Sequence, residues 1–289
     1  MRRLAAIGAT IGALALLTAV WGACGGGASS AAATLLRDAP KKTTAAGTSR
    51  MEIVIDRPPT QATSGAQGAA LPPVKITGEA DYQAHRGHML IDLSQFGLPG
   101  PPIDAVFDNA TVYEKFPKAL GAPLPPGKSW VKVDVATAGR SIGVNLGGLA
   151  ASQQGDPSQT LDFLRGASDA VTRVGAEDVR GTPTAHYRAV VDLNKAADRS
   201  PTAREAIKST IKLLGSSTQP VDVWVDAQGR ARRLKYTVDL SKSKVAASTP
   251  GVPGSVTFTL ELFDFGVPVQ AVVPPADQVV DLSALTGRH

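Results

Sequence analysis

The stretch LTAVWGACGGGASS, Leu17 to Ser30, holds the one cysteine in a chain of 289 residues. A lone Cys24 has no mate for an internal disulfide, and a single thiol without His or Asp/Glu neighbours cannot hold zinc. That leaves a free thiol, a nucleophile or an attachment point. The other motifs that imitate chemistry fail on spacing. Ala122 to Ser129, APLPPGKS, resembles a phosphate-binding loop. Yet Ala122 stands where the first glycine belongs, and the residues after it, Trp130 to Val135, read as a strand where a helix N-terminus must meet the phosphate. His85 and His88 flank a tight turn with no third ligand in phase, which suits a solvated turn better than a metal site. His186 alternates with Tyr187 toward the wet face and His289 is terminal, so a Ser-His-Asp set is not expected, and no G-x-S-x-G elbow occurs. The expectation is a protein without catalytic residues, metal or cofactor. A basic run, Arg230, Arg232, Arg233 and Lys235, reads in one of two ways. It is a charged strand edge that deters pairing, or a contact for an anionic headgroup.

The residues before Cys24 narrow its role. Met1-Arg2-Arg3 is a basic start, Leu4 to Val20 is apolar apart from Gly and Thr, and Gly22 and Ala23 are small. This is the three-part layout of a secretory signal peptide. Trp21-Gly22-Ala23-Cys24 resembles the lipobox of bacterial lipoproteins, in which the cysteine is lipidated and becomes the first mature residue; Trp21 stands where Leu is usual. The alternative is an uncleaved membrane anchor, since Leu4 to Ala23 is about long enough to span a bilayer. Both place the rest of the chain on the extracytoplasmic face of a bacterial cell membrane. On the lipoprotein reading, residues 1–23 are the signal peptide, 24–30 a flexible Gly/Ser tether, and 31–289 one domain.

Composition sets limits on that domain. Loss of Arg2 and Arg3 takes two from 30 basic residues, against 25 acidic ones, and leaves a net charge of about +3. With no basic helix interleaved with aromatics, nucleic acid is not an expected partner. Without disulfides, a hydrophobic core must supply the stability, and a domain of this length can build one.

Period-two patterning predicts the core's form. Met51/Ile53/Ile55 alternate with Arg50, Glu52 and Asp56; Val74/Ile76/Ala80/Tyr82 with Lys75/Thr77/Glu79/Asp81; and Met89/Ile91/Leu93 with His88 and Asp92. Val131/Val133/Val135, Tyr187/Ala189/Val191/Leu193, Val221/Val223/Val225, Leu234/Tyr236/Val238/Leu240 and Val256/Phe258/Leu260/Leu262 repeat the pattern. Such strands have one wet face, as in antiparallel sheets. A recurring Asp, in Leu90-Ile91-Asp92-Leu93, Lys132-Val133-Asp134-Val135, Val190-Val191-Asp192-Leu193 and Thr237-Val238-Asp239-Leu240, reads as a wet strand end rather than a site. Three helices are expected. One runs from Ser30 to Ala46, interrupted at Pro40. A second opens at Asp156-Pro157, carries Leu161, Leu164, Val171 and Val174 on one stripe and stops at Gly175. The third opens at Ser200-Pro201 with Ala203, Ile207, Ile211 and Leu214, and stops at Gly215. Each of the last two has one apolar face and should lie on the sheet.

The links between early strands alternate long and short. Arg57 to Pro73, Ser94 to Pro102 and Pro117 to Gly127 are long and rich in proline; Ala84 to Gly87 and Asp108 to Ala110 are short. In an antiparallel meander alternate links share an end of the sheet, so the three long loops gather at one rim. Their Phe96, Leu98, Leu120 and Leu124 make that rim unusually apolar, which suits an opening or a membrane contact.

Several stretches resemble a known family. Thr111 to Pro117 (TVYEKFP), Gly127 to Asp134 (GKSWVKVD), Gly175 to Tyr187 (GAEDVRGTPTAHY) and Phe265 to Val269 (FGVPV) look like the actinobacterial lipoproteins of the LolA-like superfamily, to which the LppX and LprG branch belongs. The resemblance covers most of the mature chain, with departures at Trp21, Pro40 and the long Arg57 to Pro73 loop. It implies an α+β fold: a strongly curved antiparallel half barrel of about ten to eleven strands, with helices over its concave face. It also implies an apolar cavity that holds a lipid or acylated ligand and carries it across the envelope. The in-phase residues would then line that cavity: Met51, Ile53, Ile76, Tyr82, Met89, Ile91, Val131, Val133, Tyr187, Val191, Val223, Tyr236, Phe258 and Leu260, with Phe96, Leu98, Leu120 and Leu124 at its rim. Expected partners are the ligand, the cell membrane through an anchor on Cys24, and an envelope transporter, with the protein itself a monomer. The competing expectation is a surface sensor or scaffold whose cavity is filled by its own helices.

Overall fold

Alternation along the strands is realised as a single sheet. The computed structural model describes residues 25–57, 72–94, 100–109, 111–117, 124–134, 157–201, 203–241 and 254–286. The strands are β1 (Thr48–Asp56), β2 (Val74–Asp81), β3 (Arg86–Asp92), β4 (Ile103–Asp108), β5 (Thr111–Lys115), β6 (Trp130–Asp134), β7 (Thr172–Val179), β8 (Thr182–Asp192), β9 (Thr218–Asp226), β10 (Ala231–Asp239), β11 (Ser255–Phe263) and β12 (Val279–Asp281). The helices are α1 (Gly25–Thr44), α2 (Pro157–Asp162), which continues as a 3-10 turn (Phe163–Gly166), α3 (Leu193–Arg199), α4 (Arg204–Leu214) and α5 (Leu282–Thr286).

The sheet has twelve strands in the order β12-β6-β5-β4-β3-β2-β1-β11-β10-β9-β8-β7. The first meander runs outward from β1 to β6, and the second runs back from β7 to β11, closing on β1. All pairings are antiparallel except β12, which lies parallel to β6. The sheet is curved and does not close, since β12 and β7 remain at its two edges. Curvature is built from small residues on the concave face. The Phe107 ring lies over Gly87, where a β-carbon would collide with that ring and with the Glu79 carbonyl oxygen. Gly78 sits likewise between the side chains of Met51 and Met89. A glycine in a strand interior often marks such a bend or close approach.

The helices differ in part from the sequence-based expectation. Helix α1 begins at Gly25, inside the stretch read as a tether, where Ala28 and Ala31 to Ala33 are strong helix formers. It also continues through Pro40 to Thr44. Thr43 ties its end to the sheet: the buried hydroxyl donates to the Ala39 carbonyl at 2.7 Å and accepts from the Ala231 amide at 2.9 Å. The second helix is much shorter than expected. It ends at Gly166, and Val174, assigned to its apolar stripe, is an exposed residue of β7. Two features explain this. Val171, Thr172 and Val174 are β-branched and favour a strand, and Gly166 packs so close to the Asp192 carbonyl that no side chain fits. Helix α4 bears out the third expectation, with Ala203 and Ile207 fully buried and Gly215 closing it at φ 68°. Helix α3 was not expected. Asp192 caps it by accepting from the amides of Asn194 and Lys195.

Candidate functional site

The concave face divides into two regions. Over β8 to β11 it is packed shut. Val191, Val223, Tyr236, Phe258 and Leu260 share one cluster with Ala33 and Leu36 of α1, Leu161 and Leu164 of the α2 segment, and Ile207 of α4. Tyr236 and Phe258 stack with ring centroids 5.2 Å apart, and Tyr187 packs against the same cluster half-buried. Met51 and Tyr82 belong to it as well, the Tyr82 hydroxyl meeting Ser49 Oγ at 2.7 Å.

Over β1 to β6 the face is less covered. Ile53, Ile55, Met89, Ile91, Ile103 and Val112 are all half-buried, an unusual state for six apolar side chains on the inner face of a sheet. Ile53, Ile76, Ile91 and Ile103 form one continuous row across four strands. Ile76, Val131 and Val133 beside them are buried. All fourteen residues assigned to a cavity wall therefore point to the concave side, eight on or beside the first meander and six on the second.

Strand order places the links 57–73, 93–102 and 116–129 at one end of the first meander and the two short turns at the other. This is the arrangement expected from loop parity. Of the four rim residues, Leu124 is half-buried; Phe96, Leu98 and Leu120 lie outside the described residues, as does Cys24.

One carboxyl stands on the concave face of the first meander among the described residues. Register carries the row Met51, Gly78, Met89, Ala105 on to Glu114 and Val131. Glu114 is thus on the concave face, one residue from the end of β5 that leads into the rim loop. Burial pushes its carboxyl above the ordinary range, with no opposing charge or hydrogen bond. Sequence reasoning missed Glu114, Ile103 and Val112 as hollow residues, and read Ile55 on the inner face without assigning it to the wall. The five residues of β5 are too few to fix a phase alone, although pairing with Val131 and Val133 of β6 would have done so.

The convex face carries the charges. Burial alone would raise the Glu52 carboxyl, but Lys75 at 2.8 Å and Arg180 at 3.1 Å outweigh it and hold it below its usual value. Arg180, at the tip of the β7–β8 hairpin, also bonds Glu261 at 2.6 Å and lies over the Phe263 ring. The three arginines of the basic run are consumed in the same way, while Lys235 is exposed. Arg230 and Arg232 both bond Asp226 at 2.9 Å and both lie over Phe265, while Arg233 bonds Glu261 and lies over Trp224. Asp226 is nearly inaccessible; burial would raise its carboxyl, but the Arg230 amide and the two guanidiniums lower it. These arginines are internal struts, and neither reading of the run describes them. His186 stacks on Trp224 at 4.1 Å and bonds Asp222, and His88 bonds Asp104. Among the described residues no group of three His, Cys, Asp or Glu side chains could hold a metal ion. A surface cleft of ≈ 300 Å³ lies on the opposite side of the sheet from Glu114, lined by Tyr113, Lys132, Val273, Pro274 and Asp281 among others.

No family model matches the chain. It is 28% identical over 265 residues to an uncharacterized 31.2 kDa protein of the rplA-rplJ intergenic region of Streptomyces griseus, covering 86% of this chain and 79% of that one. Among solved structures it is similar to the lipoprotein LppX of Mycobacterium tuberculosis, with TM-score 0.47, 10% identity, and 84% and 98% of the two chains covered. It is similar to LprF of Mycobacterium bovis, with TM-score 0.45, 14% identity, and 85% and 98% covered. A LolA superfamily protein of Nitrosomonas europaea aligns with TM-score 0.30 and 9% identity over 84% of this chain and 94% of that one.

Proposed function

We propose that this protein is an envelope lipoprotein, anchored through Cys24 to the extracytoplasmic face of the cell membrane, that holds an amphipathic lipid or acylated ligand in its hollow. The observation that carries this reading is the half-buried apolar face of β1 to β6, with its row of four isoleucines. Moving an acyl chain from water to such a surface gains about 0.8 kcal/mol per methylene, so a sixteen-carbon chain gains on the order of 10 kcal/mol. Binding of that strength requires no catalytic group.

Native mass spectrometry of protein isolated from its own host is expected to show co-purified lipid. Ile91→Asp, which sets an unpaired charge in the open wall, should remove that mass, whereas Thr259→Asp on the convex face should retain it. Equal effects from both substitutions, or a lipid-free wild type, would defeat the reading. The anchor has its own test: labelling with a fatty-acid analogue should vanish in Cys24→Ala, and label that persists would end the lipoprotein assignment. A non-transporting sensor or scaffold is the second reading, favoured by the shut core under α1, the α2 segment and α4, where Val191 and Val223 are fully buried.

A further inference from the structure

We propose that Glu114 selects the ligand by its head: its carboxyl contacts the polar end of a lipid seated in the hollow and favours heads that donate hydrogen bonds and bear no negative charge. The inference rests on the carrier reading above and adds the chemical class of the occupant. Glu114 is the one ionisable side chain that register places on the concave face of β1 to β6 among the described residues. Its neighbours across the strands are Ala105 and Val131, and Val112 precedes it on the same face. Among the described residues it has no hydrogen-bond or ion-pair partner. The convex-face carboxylates Glu52, Asp226 and Glu261, by contrast, are each held by two basic side chains. A half-buried carboxyl without a partner carries a desolvation cost and returns nothing to the fold. A ligand that supplies the missing donor removes that cost.

Position fixes which part of the ligand arrives there. Glu114 precedes the last residue of β5, at the end where the three long loops gather, and the wall beyond it is apolar. Glu114 shares its row with Met89 and Met51, one pair deeper than the isoleucine row, so an acyl tail laid across the strands over Met89, Ile91 and Ile53 leaves its head beside Glu114 on the β5 side of the hollow. A hydroxyl suits both protonation states, donating to the carboxylate and accepting from the acid. A phosphate there faces a like charge with no cation in the row to offset it.

The test uses two tail-labelled fluorescent probes with identical acyl chains, a diacylglycerol and a phosphatidic acid, titrated with the full mature protein. Wild type should prefer the diacylglycerol by about tenfold, the worth of a hydrogen bond to a charged group. Glu114→Gln, nearly the same shape, should bring the two affinities to within about twofold, and Glu114→Lys should favour the phosphate. If the lysine variant does not fold, the glutamine variant decides, with its melting curve as the check. Both probes binding without preference in wild type, or an unchanged preference in Glu114→Gln, overturns the role of Glu114 and leaves the carrier reading standing. Neither probe binding removes the carrier reading and this inference together.

Discussion

Two carboxyls show how differently one sheet treats the same group. Asp226 is almost fully enclosed yet stays ionised, because the Arg230 amide and two guanidiniums lower its pKa more than burial raises it. Glu114 is half-buried and has only the burial to shift it. Its raised pKa means that the folded state holds the proton more tightly than the unfolded chain, so its contribution is most favourable below the unfolded value of about 4.3 and declines as pH rises through the folded value. Glu114→Gln should therefore raise the melting temperature near neutral pH, and the gain should shrink to nothing as the pH falls toward about 4. Thermal melts of both proteins across that range check this, and a gain independent of pH would show that folding does not shift the Glu114 carboxyl. Ala105 and Val131 do not titrate, so the difference between the two proteins isolates one group. At this scale the sequence was only partly legible. The failed P-loop could be judged from spacing alone, since β6 follows where a helix is needed. Glu114 and the pairing of the arginines depend on which residues lie across the strands, and a linear pattern does not carry that.

At the scale of elements, what could be read was periodicity. Long alternating runs such as Val256 to Leu262 gave the correct faces because a half-buried strand has a period of two. The segment 157–174 misled because Leu161, Leu164, Val171 and Val174 fit a helical stripe, while the break at Gly166 is imposed by a distant residue, Asp192. The recurring Asp proved to be a device for ending strands. Asp92, Asp192 and Asp239 each accept from an amide two residues on, and Asp192 thereby starts α3. Curvature is the element property with most bearing on the hollow, and Gly87 tests it. Gly87→Ala drives a methyl into the Phe107 ring and should cost about 2 kcal/mol, the usual range for overpacking. Gly87→Ala with Phe107→Leu should recover part of the loss. Chemical denaturation measures both, and a neutral Gly87→Ala would mean that the ring's place over the strand does not hold the bend.

Over the whole molecule, the two meanders divide the work. The second, closed by α1, the α2 segment and α4, forms a core of ordinary burial that can hold the fold without disulfides. The first keeps a partly uncovered apolar wall and collects its three long loops at one end. On the proposed function this division accommodates both functional expectations, since the filled side supplies stability and the less covered side would take the ligand. On the carrier proposal the loop-bearing rim is the expected mouth, because a tail would reach the isoleucine row there without unpacking any described helix. In that reading the prolines of those loops would oppose closure, since a proline fixes its own φ and restricts the residue before it. Replacing Phe96, Leu98, Leu120 and Leu124 together by Ser should slow lipid transfer between vesicles about tenfold, the effect of removing about 1.4 kcal/mol of favourable contact from the entry step. The melting temperature should stay nearly constant, because the core lies under the other meander. If the variant instead melts several degrees lower and keeps its transfer rate, those side chains cap the sheet's end as part of the core. The ligand would then have to enter between the edge strands β12 and β7, the remaining gap in the curved sheet.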